Sequence, residues 1–192
     1  MGCVLPADLG QAPARQAALN AGLPLSVEAT TINKMCGSGM QAVIMGAEAI
    51  LCGSINDDMA GGMKSMTNAP YLLAKHRGGA RIGHDVIKDS MYLDGLEDAY
   101  TPGKLMSAFA EDAVRENQFT REAQDQYAIR SLARANHAIA SDDFALEIVP
   151  VNIATSGGEQ TVDTDEQPGK GRPEKIPTLK PAFVKDGSIN LP

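Results

Sequence analysis

Tryptophan is absent from this 192-residue chain, and Phe, Trp and Tyr together make up only 4% of it. So few aromatic rings leave little surface on which bases could stack. Seventeen basic residues stand against 24 acidic ones, a formal net charge of -7, which also argues against a nucleic-acid partner. Cysteine is scarce. Cys3, Cys36 and Cys52 form neither a close-spaced ligand pair nor a disulfide framework, so no metal site is expected, and an odd, widely spaced set suits a reducing compartment. No apolar run approaches the ~18 residues of a membrane span, and no basic segment followed by an apolar one opens the chain. Neither a membrane partner nor a secretory signal is therefore expected, and the cytoplasm is the expected location. The length suffices for a real core, as one domain or as a domain with an excursion.

What is present is organised around Asn33-Lys34-Met35-Cys36-Gly37-Ser38-Gly39. Before it, the β-branched residues of Val27 to Ile32 predict a strand. After it, Met40, Val43, Ile44, Ala47 and Leu51 recur at helical spacing and predict a mostly buried helix over Gly37 to Leu51. Cys36 then falls at the junction, beside the unpaired N–H groups of a first helical turn, a setting that favours a thiolate. Gly37 and Gly39 let the backbone pass close to a ligand, and Ser38 can cap the helix. The same features also suit a structural cysteine on a tight strand-to-helix turn.

Pro13 is suited to the first turn of a helix reaching Ala21, which Gly22 and Pro24 end. Strand, turn and helix in this order predict an α/β layer. Ile55, Met59 and Ala60 suggest another core strand, but Asn56, Asp57 and Asp58 interrupt it, and burying those carboxylates unpaired costs several kcal/mol. A shortened strand is the expectation. From Met66 onward, Pro70, Gly78-Gly79, Gly83, Gly95 and Pro102-Gly103 divide short pieces, as in a long excursion. Leu105 to Asn117 predicts a helix. A longer one follows, capped by Thr120, with Tyr127, Ala128, Leu132, Ala135 and Ile139 as its packed face. Glu147 to Ile153 and Thr161 to Asp163 predict strands joined through Gly157-Gly158. The proline-rich tail after 164 shows no helical periodicity.

NKMCGSGMQAV resembles the nucleophile-cysteine segment of the thiolase family, the acetyl-CoA C-acyltransferases. Further stretches agree in order and spacing: MGCVLPADLGQAPARQAALNAG at 1–22, AGGMKSMTNAPY at 60–71, LMSAFAEDAV at 105–114, FTREAQDQYAIRS at 119–131, and VDTDEQP with LKPAF at 162–183. The resemblance implies an α/β fold, a partial N-terminal core of mixed sheet and helices with an α+β loop domain. The corresponding division is 1–63 for the core, 64–187 for the loop domain and 188–192 for a truncated return. It implies acyl transfer between acyl-CoA molecules through a thioester on Cys36, with coenzyme A or acyl-CoA as substrate and no permanently bound cofactor. A homo-oligomer is implied for the complete protein. Leu105, Met106 and Ser107 resemble the apolar edge of the acyl and pantetheine channel; helix-start packing explains them equally. Lys170 and Arg172 lie near the place where thiolases grip the nucleotide end of the cofactor.

The family's activating histidine, second cysteine and most oxyanion-hole residues belong to a C-terminal half whose motifs are absent from these 192 residues. His76, His84 and His137 are expected in surface or structural roles. Cys52 lies 16 residues beyond Cys36, roughly 24 Å along a continuous helix, too far to share a site. A remnant that binds acyl-CoA or a partner without complete catalysis is therefore the competing expectation. A dehydrogenase lacks its GxGxxG fingerprint here, and a cysteine hydrolase lacks a placed histidine. Lys75, His76, Arg77 and Arg81 form a basic group suited to phosphates, an acidic neighbour or plain solvation.

Overall fold

Short extended segments around Ile32, Gly2 and Gly62 lie side by side and parallel, with Gly2 in the middle. In this computed structural model, which describes residues 1–190, four backbone bonds make the ribbon. Cys3 N–H donates to the Ile32 carbonyl at 3.0 Å and Ile32 N–H to Met1 at 3.0 Å. Gly2 N–H donates to Gly61 at 2.8 Å and Met63 N–H to Gly2 at 3.0 Å. Cys3, Val4 and Leu5 follow directly and are buried, so the ribbon's middle segment leads into the core of its unit.

The described residues divide into two compact units, Met1–Met106 and 107–190. In the first, helix α1 (Pro13–Asn20) starts at its proline, as read from the sequence. The strand expected over Val27 to Ile32 pairs only at its end. The reason is polar: the Arg15 guanidinium takes the carbonyls of Leu25, at 2.7 Å, and Val27. Those carbonyls bind the segment to α1 instead of to a neighbouring strand. Pairing of the 54–65 stretch is confined to Gly61 through Met63, and Asn56, Asp57 and Asp58 are exposed.

Helix α2 (Ser38–Leu51) is continuous, but the expectation that it is mostly buried is wrong. Only Ser38, Ala42 and Gly46 are buried, one residue per turn at i, i+4 and i+8. Met40 and Leu51 are 73% and 86% exposed, and Val43, Ile44, Met45 and Ile50 are also exposed. The buried seam consists of small residues because other chain segments press directly on it. A β-carbon on Gly46 would collide with the Asp58 carboxyl group.

Beyond the ribbon, β1 (Tyr71–Leu72) pairs antiparallel with β2 (Lys88–Asp89). A 3₁₀ turn over His76–Gly78 lies between them, and a π-helical turn over Tyr92–Leu96 follows.

The second unit begins within the first turn of α3 (Met106–Asn117), which is followed by α4 (Arg121–Ala140), whose Thr120 cap accepts from Ala123 N–H at 3.1 Å. The packed side of α4 differs from the apolar stripe expected. Asp125 is buried, Leu132 and Ala135 are half-buried, and Tyr127, Ala128 and Ile139 are exposed. The seam is set by ion pairing rather than by apolar periodicity: Arg121 Nε donates to Asp125 at 2.8 Å, while its Nη2 donates to the Ile176 and Leu179 carbonyls at 3.0 and 2.8 Å. A hairpin of β3 (Val151–Thr155) and β4 (Gly158–Val162) replaces the strand boundaries read earlier. Its turn centres on Ser156-Gly157, because Thr155 pairs with Gly158 and donates its hydroxyl to that carbonyl at 2.7 Å.

The tail is more ordered than its composition suggests. Asp165 caps α5 (Glu166–Lys170) through a 3.1 Å bond from Gln167 N–H, and a 3₁₀ helix spans Pro173–Thr178. Glu111, buried on α3, accepts from Ser188 N–H and Ile189 N–H at 2.9 and 2.7 Å. Of the 188–192 return, Leu191 and Pro192 lie outside the described residues.

Candidate active site

The turn that carries Cys36 is held by side chains immediately around it. Met35 has φ 49°, a left-handed conformation that costs a non-glycine residue roughly 1–2 kcal/mol. Two side chains hold it there. Asn33 Oδ1 accepts from Met35 N–H at 3.0 Å. The Ser38 hydroxyl accepts from Lys34 N–H at 2.8 Å and donates to the Met35 carbonyl at 2.6 Å.

Ser38 is thus the first helical residue and not the cap expected from the sequence; the N-cap is Gly37, with no side-chain capping bond. Its hydroxyl turns back to close the loop, and it is buried in doing so. The result is a cysteine two residues ahead of α2, exposed, at the end where unpaired N–H groups gather.

Cys36 opens onto a recess of about 230 Å³, lined also by Val4, Met35, Ser38, Met63 and Lys64 and by the backbone of Gly2, Gly39 and Gly62. The glycines have a steric reason. A β-carbon on Gly2 would lie 2.7 to 2.9 Å from Ser38 and Gly39 atoms, and one on Gly62 would lie 3.3 Å from the Gly2 carbonyl oxygen. The backbone-lined side of the recess exists because no side chains occupy it. Lys64 and Gly2 were not singled out from the sequence as site residues. The available signal was the pairing of small residues at Gly2 and Gly61-Gly62, which marks close backbone approach.

The other candidates are not among the residues that line the recess. Leu105 forms an isolated antiparallel bridge with Glu97, Met106 starts α3, and neither lines the Cys36 recess. Ser107 is half-buried in the following turn. Lys170 and Arg172, in the second unit, are exposed, and Lys170 pairs with Glu166 at 2.7 Å. Cys3 is buried. Cys52 is the C-cap of the unbroken α2, at the opposite end from Cys36.

None of the three histidines lines the recess. His76 faces Asp85 at 3.2 Å, His84 is exposed, and His137 lies 3.4 Å from the Ser141 hydroxyl. Among the described residues, no group of His, Cys, Asp and Glu could hold a metal ion, and no helix is long and apolar enough to cross a membrane.

A parallel ribbon delivers an exposed cysteine to the head of a helix, over a glycine-lined recess, in a fold of mixed helix and strand. The chain belongs to the thiolase family: the model described as "Thiolase, N-terminal domain" matches residues 1–191. It is 46% identical over 188 residues to acetyl-CoA acetyltransferase FG05087, mitochondrial, of Gibberella zeae, covering 98% of this chain and 44% of that protein. Acetyl-CoA acetyltransferase IA of Candida tropicalis is 44% identical over 194 residues, covering 100% and 48%. Among solved structures, the Acat5 thiolase from Ascaris suum in complex with coenzyme A superposes with a TM-score of 0.84 at 41% identity, covering 96% of this chain and 46% of that one. The fold is accordingly a thiolase-like partial core of mixed helix and strand. The chain spans about half the length of the curated relatives it matches.

Proposed function

We propose that this chain carries the acyl-accepting half of a thiolase-type acyltransferase, with Cys36 as the nucleophile and acetyl-CoA or another acyl-CoA as donor. The observation that carries this reading is the exposed Cys36 at the head of α2, opening onto its recess. The relatives' names, acetyl-CoA acetyltransferase, support the same chemistry. In the first half-reaction the Cys36 thiolate attacks the acyl carbonyl carbon. A carbon–sulfur bond to Cys36 forms as the bond to the coenzyme A sulfur breaks, and coenzyme A leaves as its thiol with the proton Cys36 surrendered. The acyl group then passes to a second acceptor, by thiolysis or by Claisen condensation.

In this reading Leu105, Met106 and Ser107 border the acyl and pantetheine channel, and Lys170 and Arg172 meet the nucleotide end of the substrate. Residues 1–63 act as core and 64–187 as loop domain, with the complete protein a cytoplasmic homo-oligomer.

A second reading is favoured by one observation: no histidine lines the recess, so a base for completing the cycle is missing from it. By itself the chain then binds or accepts acyl groups without turning over. Incubation with acetyl-CoA followed by mass spectrometry distinguishes the outcomes. An acetyl adduct on Cys36, absent in Cys36→Ala, supports the nucleophile. Acetoacetyl-CoA thiolysis near background beside that adduct supports the acyl-accepting half without full catalysis. No adduct at Cys36 under any condition overturns the proposal.

A further inference from the structure

Of the residues that line the recess at Cys36, Lys64 is the one with a basic side chain. No aspartate or glutamate lines the recess. We infer that Lys64 is a positioning residue for the Cys36 site, supplying the positive charge that draws anionic acyl donors to the recess.

Three observations carry this. First, the backbone before Lys64 is fixed, because Met63 N–H donates to the Gly2 carbonyl at 3.0 Å in the ribbon that forms one side of the recess. The lysine stem therefore starts from a defined place beside Cys36. Second, no ion pair or hydrogen bond claims its ammonium among the described residues. Lys34, the other cation near the turn, is committed to Gln41 Oε1 at 2.6 Å. Third, the chain as a whole is acidic, with a formal charge of -7, so an anion approaching it meets a net repulsive field. A single uncommitted cation at the recess opposes that field locally, adding to the N–H groups at the head of α2.

The inference rests on Cys36 being the reacting residue and adds the selection of anionic donors over neutral ones. A coenzyme A thioester, with its phosphates, is such an anion.

Alkylation of the full chain tests it without any turnover. Rates of modification at Cys36 are measured by peptide mass spectrometry with anionic iodoacetate and neutral iodoacetamide, and their ratio reports the local charge. In Lys64→Gln that ratio falls roughly three- to tenfold, the effect expected for removing one nearby unit charge. Lys64→Arg restores it, Lys64→Glu lowers it further, and about 0.5 M salt closes most of the gap. The ratio at Cys52 stays constant throughout. A merely structural role for Lys64 would alter both reagents together and leave their ratio unchanged; an unchanged ratio in Lys64→Gln overturns the inference while leaving the role of Cys36 intact. Failure of Cys36 to react with iodoacetamide faster than buried Cys3 overturns the reading of Cys36 and this inference with it.

Discussion

Gly2 packs so closely on Ser38 that a β-carbon added to it would lie 2.7 Å from Ser38 Cβ and 2.8 Å from the Ser38 carbonyl carbon. The ribbon and the head of α2 are thus in direct backbone contact, and the Cys36 turn sits on that contact. Gly2→Val should destabilise the chain by roughly 1–3 kcal/mol, the range for overpacking against a backbone that cannot retreat. Because the displaced element carries Cys36, its alkylation rate should change in the same variant. A thermal midpoint and a Cys36 labelling rate both equal to those of the parent would contradict this.

The three cysteines should label in a fixed order. Cys36 is exposed at the head of α2, Cys52 is exposed at its C-cap, and Cys3 is buried in the core. Helix N-termini favour an anionic sulfur and C-termini disfavour it. Short exposure to iodoacetamide should therefore modify Cys36 first, Cys52 more slowly and Cys3 last. Labelling of Cys52 ahead of Cys36 would show that the end of the helix does not govern reactivity here.

Arg121 and Asp125 form the polar clasp of the second unit, with the carboxylate side chain 9% exposed and the guanidinium 24%. Arg121→Met strands a buried carboxylate and releases the Ile176 and Leu179 carbonyls, and should cost roughly 3–5 kcal/mol. Arg121→Met combined with Asp125→Met should recover much of that loss, since the unpaired charge is gone. Denaturant unfolding of both variants measures the difference, and equal stabilities would disprove the clasp.

Glu111 ties residues 188 and 189 to α3 through charge-assisted bonds from two backbone N–H groups. Glu111→Gln keeps the shape but loses the charge and places an amide donor beside those N–H groups. A loss of about 1–3 kcal/mol is expected. Hydrogen exchange at the Ser188 and Ile189 amides should accelerate more than at the α4 amides. Uniform protection across the unit would refute this local account.

Ser90 is 1% exposed and its hydroxyl has no hydrogen-bond partner among the described residues. A buried unpaired hydroxyl is a cost that alanine removes with little change in volume. Ser90→Ala should raise stability by about 1 kcal/mol, read as an upward shift of the thermal midpoint. A lower midpoint would mean that the hydroxyl has a partner.

Local chemistry made much of this protein legible in one dimension. Pro13 started α1, Thr120 capped α4, and Cys36, followed by Gly37, placed an exposed sulfur at the head of α2. These features depend on residues within a few positions of one another, where propensity and capping act. The tertiary structure decided what depends on distant partners. Arg15 drew off the carbonyls of 25 and 27 and shortened a strand that β-branched residues alone had predicted. Close approach along a seam of small residues chose Ser38, Ala42 and Gly46 as the buried side of α2 over its larger apolar residues. The recess, and the presence of Lys64 beside Cys36 in it, came from pairing Gly2 with Gly62, 60 positions apart. Periodicity reports which face of an element is apolar; only packing determines which face is covered, because close contact selects for small volume as well as for hydrophobicity.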